Sequence, residues 1–289
     1  MTVLPTVLLI AAFALLATAA AAGLAAMLLG SRSPEAAHVT GTTTTGTLSA
    51  AVTTAVGIAV SVATALLIAA LVIRTEAIGH APWSNLHEFS ISFAAAVLVV
   101  HWLLARAYPI AGLAPLAALL AAGLVAFGLS RDDTIQPLVP ALQQPLLLTV
   151  HVGSAVVAYA VAGFAFIAAL GELAQRAAAD RIALLPSAGA ARIVTHRAVL
   201  IGFPILTLAI ALGSVWANLA WRSYWSNDPK ELAAAATWLV FGAYLHVAGR
   251  RDRLASVAPW LVVLGFAGVL FTYIGAGLFI VGEHSYGAP

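Results

Sequence analysis

The chain has 289 residues, of which 62% are apolar and only 8% charged, with a net charge of +2. Soluble domains run at about 45–50% apolar and about 25% charged, so this balance excludes an ordinary soluble globule and points to a protein that lives in lipid. The absence of cysteine excludes disulfides, Cys-ligated metals and thioether-linked groups within this chain, and the 13 basic residues are too dispersed for a nucleic-acid footprint.

A hydrocarbon layer of about 30 Å needs roughly 20 apolar residues per helix. Eight stretches qualify: residues 4–29, 50–73, 89–106, 110–129, 146–173, 198–219, 231–249 and 256–281. Their unbroken Ala/Leu/Val runs lack the two-residue alternation of membrane strands, so the predicted fold is all-α: a polytopic membrane helical bundle forming one integral domain over 1–289. The first run lacks a basic leader and is too long for a signal peptide, so it is read as the first helix. Residues 30–49, with "TGTTTTGT", read as a Thr/Gly linker, and 174–197 as a longer basic loop with room for an interfacial helix. Ser and Thr inside the spans suggest packed helix interfaces, as does "GAG" at 275–277. No fixed-period repeat, HExxH, Walker loop or GxGxxG is present.

Basic residues collect on the cytoplasmic side of a membrane. With an outside N-terminus, the inner loops hold Arg32, Arg106, Arg176, Arg181, Arg192, Arg197, Arg250, Arg251 and Arg253. The outer loops then hold only Arg74, Arg131, Arg222 and Lys230. This distribution predicts that both termini are extracytoplasmic, together with the connector at 219–231.

That connector contains "WRSYWSNDPKE", the densest polar and aromatic stretch of the chain. One reading is structural: Asp228 as N-cap, Pro229 at the first helical position and Glu231 closing a capping box, with Trp216, Trp221, Tyr224 and Trp225 as an interfacial aromatic belt. The other is a ligand ledge. If 221–228 is helical, Trp221, Trp225 and Asp228 share a face at i, i+4 and i+7 with Tyr224 beside them, and Arg222 or Lys230 can pair with ligand carboxylates. A planar ring with charged margins suits such a surface.

Four histidines, His80, His87, His151 and His284, fall on the predicted outer side. An iron porphyrin needs donors above and below its plane, and neutral imidazole is the usual one. His151 and His284 flank the tryptophan connector in sequence and form the candidate outer pair. His246 lies about 18 residues beyond Asp228, roughly 27 Å along a helix. It serves there either as a cation at a helix C-terminus or as an inner ligand, with His101 or another subunit supplying its mate.

These residues resemble the CcsA/ResC haem-handling family of system II cytochrome c biogenesis, called CcsB in some bacteria. The family's tryptophan-rich "WWD" loop has the form WGxYWxWDPKE, followed by a helix with YLH and a terminal HSYG. Trp221, Ser223, Tyr224, Trp225, Asp228, Pro229, Lys230 and Glu231 fall in register, as do Tyr244-Leu245-His246 and His284-Ser285-Tyr286-Gly287. "IGFPILTLAIALGSVWAN" and "PWSNLHEF" are also similar, and the likeness covers roughly residues 74–289. Arg222 stands where the family has glycine, and Asn227 where it has the tryptophan before the aspartate, which removes part of the stacking surface. CcmC and CcmF of system I carry related loops with different endings; DPKE favours system II.

The resemblance implies a haem exporter and a component of holocytochrome c synthase in the bacterial cytoplasmic membrane. His151 and His284 would ligate the iron of haem b held by the loop, and His246 would bind it nearer the cytoplasm. The second inner ligand would come from a ResB/CcsB-type membrane partner. An apocytochrome c with a CxxCH motif would receive the haem, its thiols kept reduced by a further partner. The rival readings are a membrane transporter or channel with a polar aromatic gate, and a structural subunit whose tryptophans anchor it. The near absence of charges at mid-depth disfavours the transporter.

Overall fold

A computed structural model describes residues 3–29, 43–138, 143, 145–250, 253–276, 279–280 and 282–283. Eight α-helices follow one another: α1 Val3–Leu29, α2 Thr43–Ile78, α3 Leu86–Ala105, α4 Ala114–Leu129, α5 Pro145–Ala177, α6 Ala188–Trp221, α7 Pro229–Ala248 and α8 Ala258–Leu270. No β-strand occurs among the described residues, and eight helical segments are long and apolar enough to cross a membrane. The chain is a multi-pass membrane helical bundle. It divides into two compact units, Met1–Asp133 with Ile167–Val194, and Thr134–Phe166 with Thr195–Pro289. The predicted linker at 30–49 lies outside the described residues up to 42, and α2 begins at Thr43.

In the first unit α1 packs on α2 and α4, and α3 on α2 and α4. The apolar composition hides which face is inward, but the spacing of the buried positions reveals it. On α1 these are Leu9, Ala12, Leu16, Ala19, Ala20, Gly23 and Met27; on α2 they are Val56, Val60, Ala63, Leu67 and Ala70. Both follow the three-and-four rhythm of a helical stripe. Arg74 is the next position on the α2 stripe and is buried with it, so it is no loop charge as the orientation count supposes. Its guanidinium meets the Glu88 carboxylate at 2.8 Å and donates to the Asp133 carbonyl at 2.8 Å. Glu88 also accepts from the Ser84 backbone N–H at 2.9 Å and hydroxyl at 2.7 Å, while Asn85 caps α3.

The expected long loop at 174–197 is mostly helix, leaving only 178–187 between α5 and α6. Gln175 shortens it: its side chain donates to the carbonyls of Ile182 and Leu185 and accepts from the Ile182 N–H, while Ala179 and Asp180 turn the chain in left-handed conformations. Glu172 pairs with Arg176 one turn away. Hydroxyls within the spans serve their own helices: Thr18, Thr54, Ser61, Thr64 and Thr207 each donate to the carbonyl four residues back. In lipid no water satisfies such a group, so the nearest backbone carbonyl does.

In the second unit α6 and α7 run antiparallel. The Tyr244 hydroxyl lies 3.5 Å from His196 Nδ1, Trp238 Nε1 donates to Thr207 Oγ1 at 2.8 Å, and Phe203 stacks on Trp238 at 5.2 Å. An apolar cleft between α5, α6, α7 and α8 is lined by Tyr159, Gly202, Phe203, Phe241 and Val269 among others. The last predicted span is described as one continuous segment from Ala258 to Gly275, in which α8 passes into a π-helical turn at Phe271–Gly275. Gly277 lies outside the described residues, so the "GAG" stretch is described only at Gly275 and Ala276.

Candidate functional site

The candidate site lies where the start of α5 meets α6 and where the connector after α6 folds back on it. His151, in the second turn of α5, turns its ring onto the last turns of α6. Its Nδ1 lies 3.0 Å from the Ala209 carbonyl, and its ring stacks on Trp216 at 5.7 Å with 27° between the planes. A carbonyl only accepts, so Nδ1 carries a proton, and in the neutral form of the ring the lone pair is at Nε2. A carbonyl held against one ring nitrogen fixes the plane of an imidazole and leaves its other nitrogen available.

Trp216 is only 4% exposed and packs with Leu138, Leu147, Val152 and Trp221. Trp221 meets it edge-on, with centroids 5.2 Å apart and planes at 65°, a favourable aromatic geometry. The structure thus brings together His151, Trp216 and Trp221 from helices that are far apart in sequence.

The connector itself departs from the expected helix. α6 ends at Trp221, and Arg222 and Asn227 both adopt φ of +61°, so no helix spans 222–228 and the i, i+4, i+7 face does not form. The chain has to reverse between antiparallel helices, and these two left-handed residues make the reversal. Glycine takes such angles without cost and asparagine with little, whereas arginine carries a Cβ penalty. The connector is then tied down by its own polar groups. Ser214 Oγ donates to the Tyr224 carbonyl at 2.7 Å, Ser223 Oγ to the Trp225 carbonyl at 2.9 Å, and Trp225 Nε1 to Asn227 Oδ1 at 2.9 Å. Tyr224 and Trp225 remain 61% and 42% exposed, so their rings face outward rather than joining the Trp216 cluster.

The capping box expected at Asp228 is present. Asp228 Oδ1 accepts from the Lys230 N–H at 2.8 Å, and Glu231 Oε2 accepts from the N–H groups of Asp228 and Ser226 at 3.1 and 2.8 Å. Lys230 is half-buried in the first turn of α7 and Arg222 is exposed. Gly282, close to the end of the described chain, lies against Asp228: a Cβ built there would collide with the carboxylate. His284 lies outside the described residues.

The remaining histidines take separate places. His246 is exposed on α7, its Nδ1 donating to the Gly242 carbonyl at 2.8 Å. His87 is buried and donates to the Gly128 carbonyl at 2.9 Å, and His101 is buried in α3. Sequence reasoning missed His196, which contacts Tyr244, and also the Ala209 and Gly213 backbone against His151. The only signal for the latter is a glycine at one end of the stripe 199, 202, 206, 209, 213 on α6.

The sequence profile described as Cytochrome C assembly protein matches residues 83–284. The chain belongs to this family. As a cytochrome c assembly protein it is 35% identical over 253 residues to the cytochrome c biogenesis protein CcsA of Synechococcus sp. (strain CC9902), covering 77% of this chain and 83% of that relative. To CcsA of Chlamydomonas reinhardtii it is 32% identical over 239 residues, covering 77% and 65%. Among solved structures, the cytochrome c heme lyase CcmF superposes with a TM-score of 0.63 at 21% identity, over 93% of this chain and 46% of that one. At that identity the likeness establishes the fold of this cytochrome c assembly protein, which spans just under half of the CcmF chain.

Proposed function

We propose that this chain holds haem at the membrane surface and presents it for attachment to apocytochrome c. The observation that carries the reading is the His151 imidazole, stacked on Trp216 and held through Nδ1 by the Ala209 carbonyl, so that Nε2 is the donor nitrogen. Haem b is the substrate. His151 Nε2 binds one face of the iron and His284, two residues on from Gly282, binds the other; the exposed Tyr224 and Trp225 rings stack against the macrocycle, with Trp216 and Trp221 backing His151. Arg222 and Lys230 pair with the porphyrin carboxylates, and Asp228 fixes the connector to α7.

His246, about 27 Å from Asp228 along α7, binds haem at the opposite end, its mate supplied by a ResB/CcsB-type subunit. The loop faces the extracytoplasmic side of a bacterial cytoplasmic membrane, with both termini on that side, following the arginine bias. The chemistry is addition: each cysteine S–H of the CxxCH motif adds across a haem vinyl group, sulfur to one carbon and hydrogen to the other, with no net oxidation. The chain contributes position, because it has no thiol of its own and the adding sulfurs belong to the apocytochrome. The substrate's histidine displaces one axial ligand as the product leaves, and a thiol-reducing partner keeps the cysteines ready.

The full chain co-purified with its partner subunit should carry b-type haem with a bis-histidine absorption spectrum. His151→Ala with His284→Ala should abolish that spectrum. Haem-free protein, or an unchanged spectrum in the double variant, returns the transporter reading.

A further inference from the structure

The α6 residue that faces the His151 ring is Gly213. A Cβ built on it would stand 2.8 Å from His151 Cε1, 3.4 Å from Nδ1 and 3.5 Å from Nε2. The carbonyl that holds His151 belongs to Ala209, one helical turn earlier. In an α-helix that carbonyl points along the axis toward residue 213, whose N–H is its intrahelical donor. A second donor from another helix can reach it only by lying over residue 213, where a side chain would otherwise begin. Glycine at 213 therefore opens the Ala209 carbonyl to α5.

We propose that Gly213 is the positioning residue of the outer site, setting the ring plane and tautomer of His151 through the shared Ala209 carbonyl. The inference rests on the haem reading above, and Gly213 itself touches no ligand. With a methyl group at 213 the imidazole must swing away, lose its hydrogen bond to Ala209 and tilt off Trp216. Nε2 then leaves the axial direction, and the nitrogen that carries the proton is no longer fixed.

The test is a double-variant cycle on the full chain co-purified with its partner, read as haem content and low-spin absorption. Gly213→Ala alone should lower haem content roughly 10- to 100-fold, the range typical of lost support behind a metal ligand. His151→Gly should lose the low-spin signal and regain it on adding imidazole, because a diffusible ring replaces the missing one. Combining Gly213→Ala with His151→Gly should leave that regained signal unchanged, since an untethered ring can shift away from the new methyl group. Losses that add, or a native spectrum in Gly213→Ala alone, overturn the proposal. Alanine is the better helix former. If Gly213→Ala fails to accumulate, accumulation of the double variant supports the collision with His151, and failure of both overturns it. An unaffected haem signal in His151→Gly without imidazole refutes the haem reading itself, a result distinct from the failure of Gly213 alone.

Discussion

Two polar clusters at helix ends can be compared directly, one in each unit. Around Arg74 the groups satisfy one another: guanidinium to Glu88 and the Asp133 carbonyl, carboxylate to Ser84, and Asn85 to the α3 N-terminus. Around His151 the backbone fixes one ring nitrogen, the indoles of Trp216 and Trp221 back the ring, and the rings of Tyr224 and Trp225 face outward. The first arrangement is closed, and its chemistry ends in holding α2, α3 and the segment after α4 together. The second spends its hydrogen bonds on orienting an imidazole and tying a connector while leaving flat apolar surface exposed. Polar groups in an apolar chain thus either close on one another or leave surface open, and the direction of their hydrogen bonds tells which.

Variants can break or sharpen this contrast. The largest expected effect is at the clamp. Arg74→Ala leaves the Glu88 charge buried without its partner and should cost about 3–5 kcal/mol in detergent unfolding, whereas replacing both by apolar residues, Arg74→Met with Glu88→Leu, should cost far less. Equal stability of the single and double variants would show that the pair does not act as a unit. Haem content per folded molecule should be unaffected in either.

Next comes Trp216→Ala, which empties a buried indole-sized space beside His151 and should cost roughly 3 kcal/mol and, on the haem reading, the low-spin haem signal as well. A stable variant with full haem would remove Trp216 from the site. Asp228→Ala deletes the α7 N-cap and should lower stability by about 1 kcal/mol, measurable as a shift of the unfolding midpoint. Arg222→Gly relieves a left-handed Cβ and should raise stability by up to about 1 kcal/mol; a loss instead would mean that the arginine side chain anchors the turn. Smallest of all, Tyr224→Ala and Trp225→Ala should change stability by no more than about 0.5 kcal/mol, as exposed positions do. On the haem reading both should still lose bound haem, and that separation of stability from binding is what an open site predicts.

The capping box at Asp228, Pro229, Lys230 and Glu231 is legible in four consecutive letters because a cap is a local hydrogen-bond exchange. The helix drawn through 221–228 is not, because helical spacing can be laid over any eight residues, and only the return of the chain to an antiparallel neighbour forces Arg222 and Asn227 into left-handed angles. Arg74 shows the same limit. In an all-apolar helix hydropathy carries no facing information, so its place on the buried stripe emerges only from the rhythm of its neighbours.

Composition and run length determined that this is a multi-pass membrane protein, with eight apolar helices among the described residues, since the thickness of lipid and the cost of unsatisfied backbone leave few other solutions. The motif letters of the tryptophan connector likewise point to the family. Tertiary structure alone decided which nitrogen of His151 carries the proton, which indoles back it and why position 213 bears no side chain. Those depend on a carbonyl from one helix meeting a ring from another, and no property of a single segment encodes that meeting.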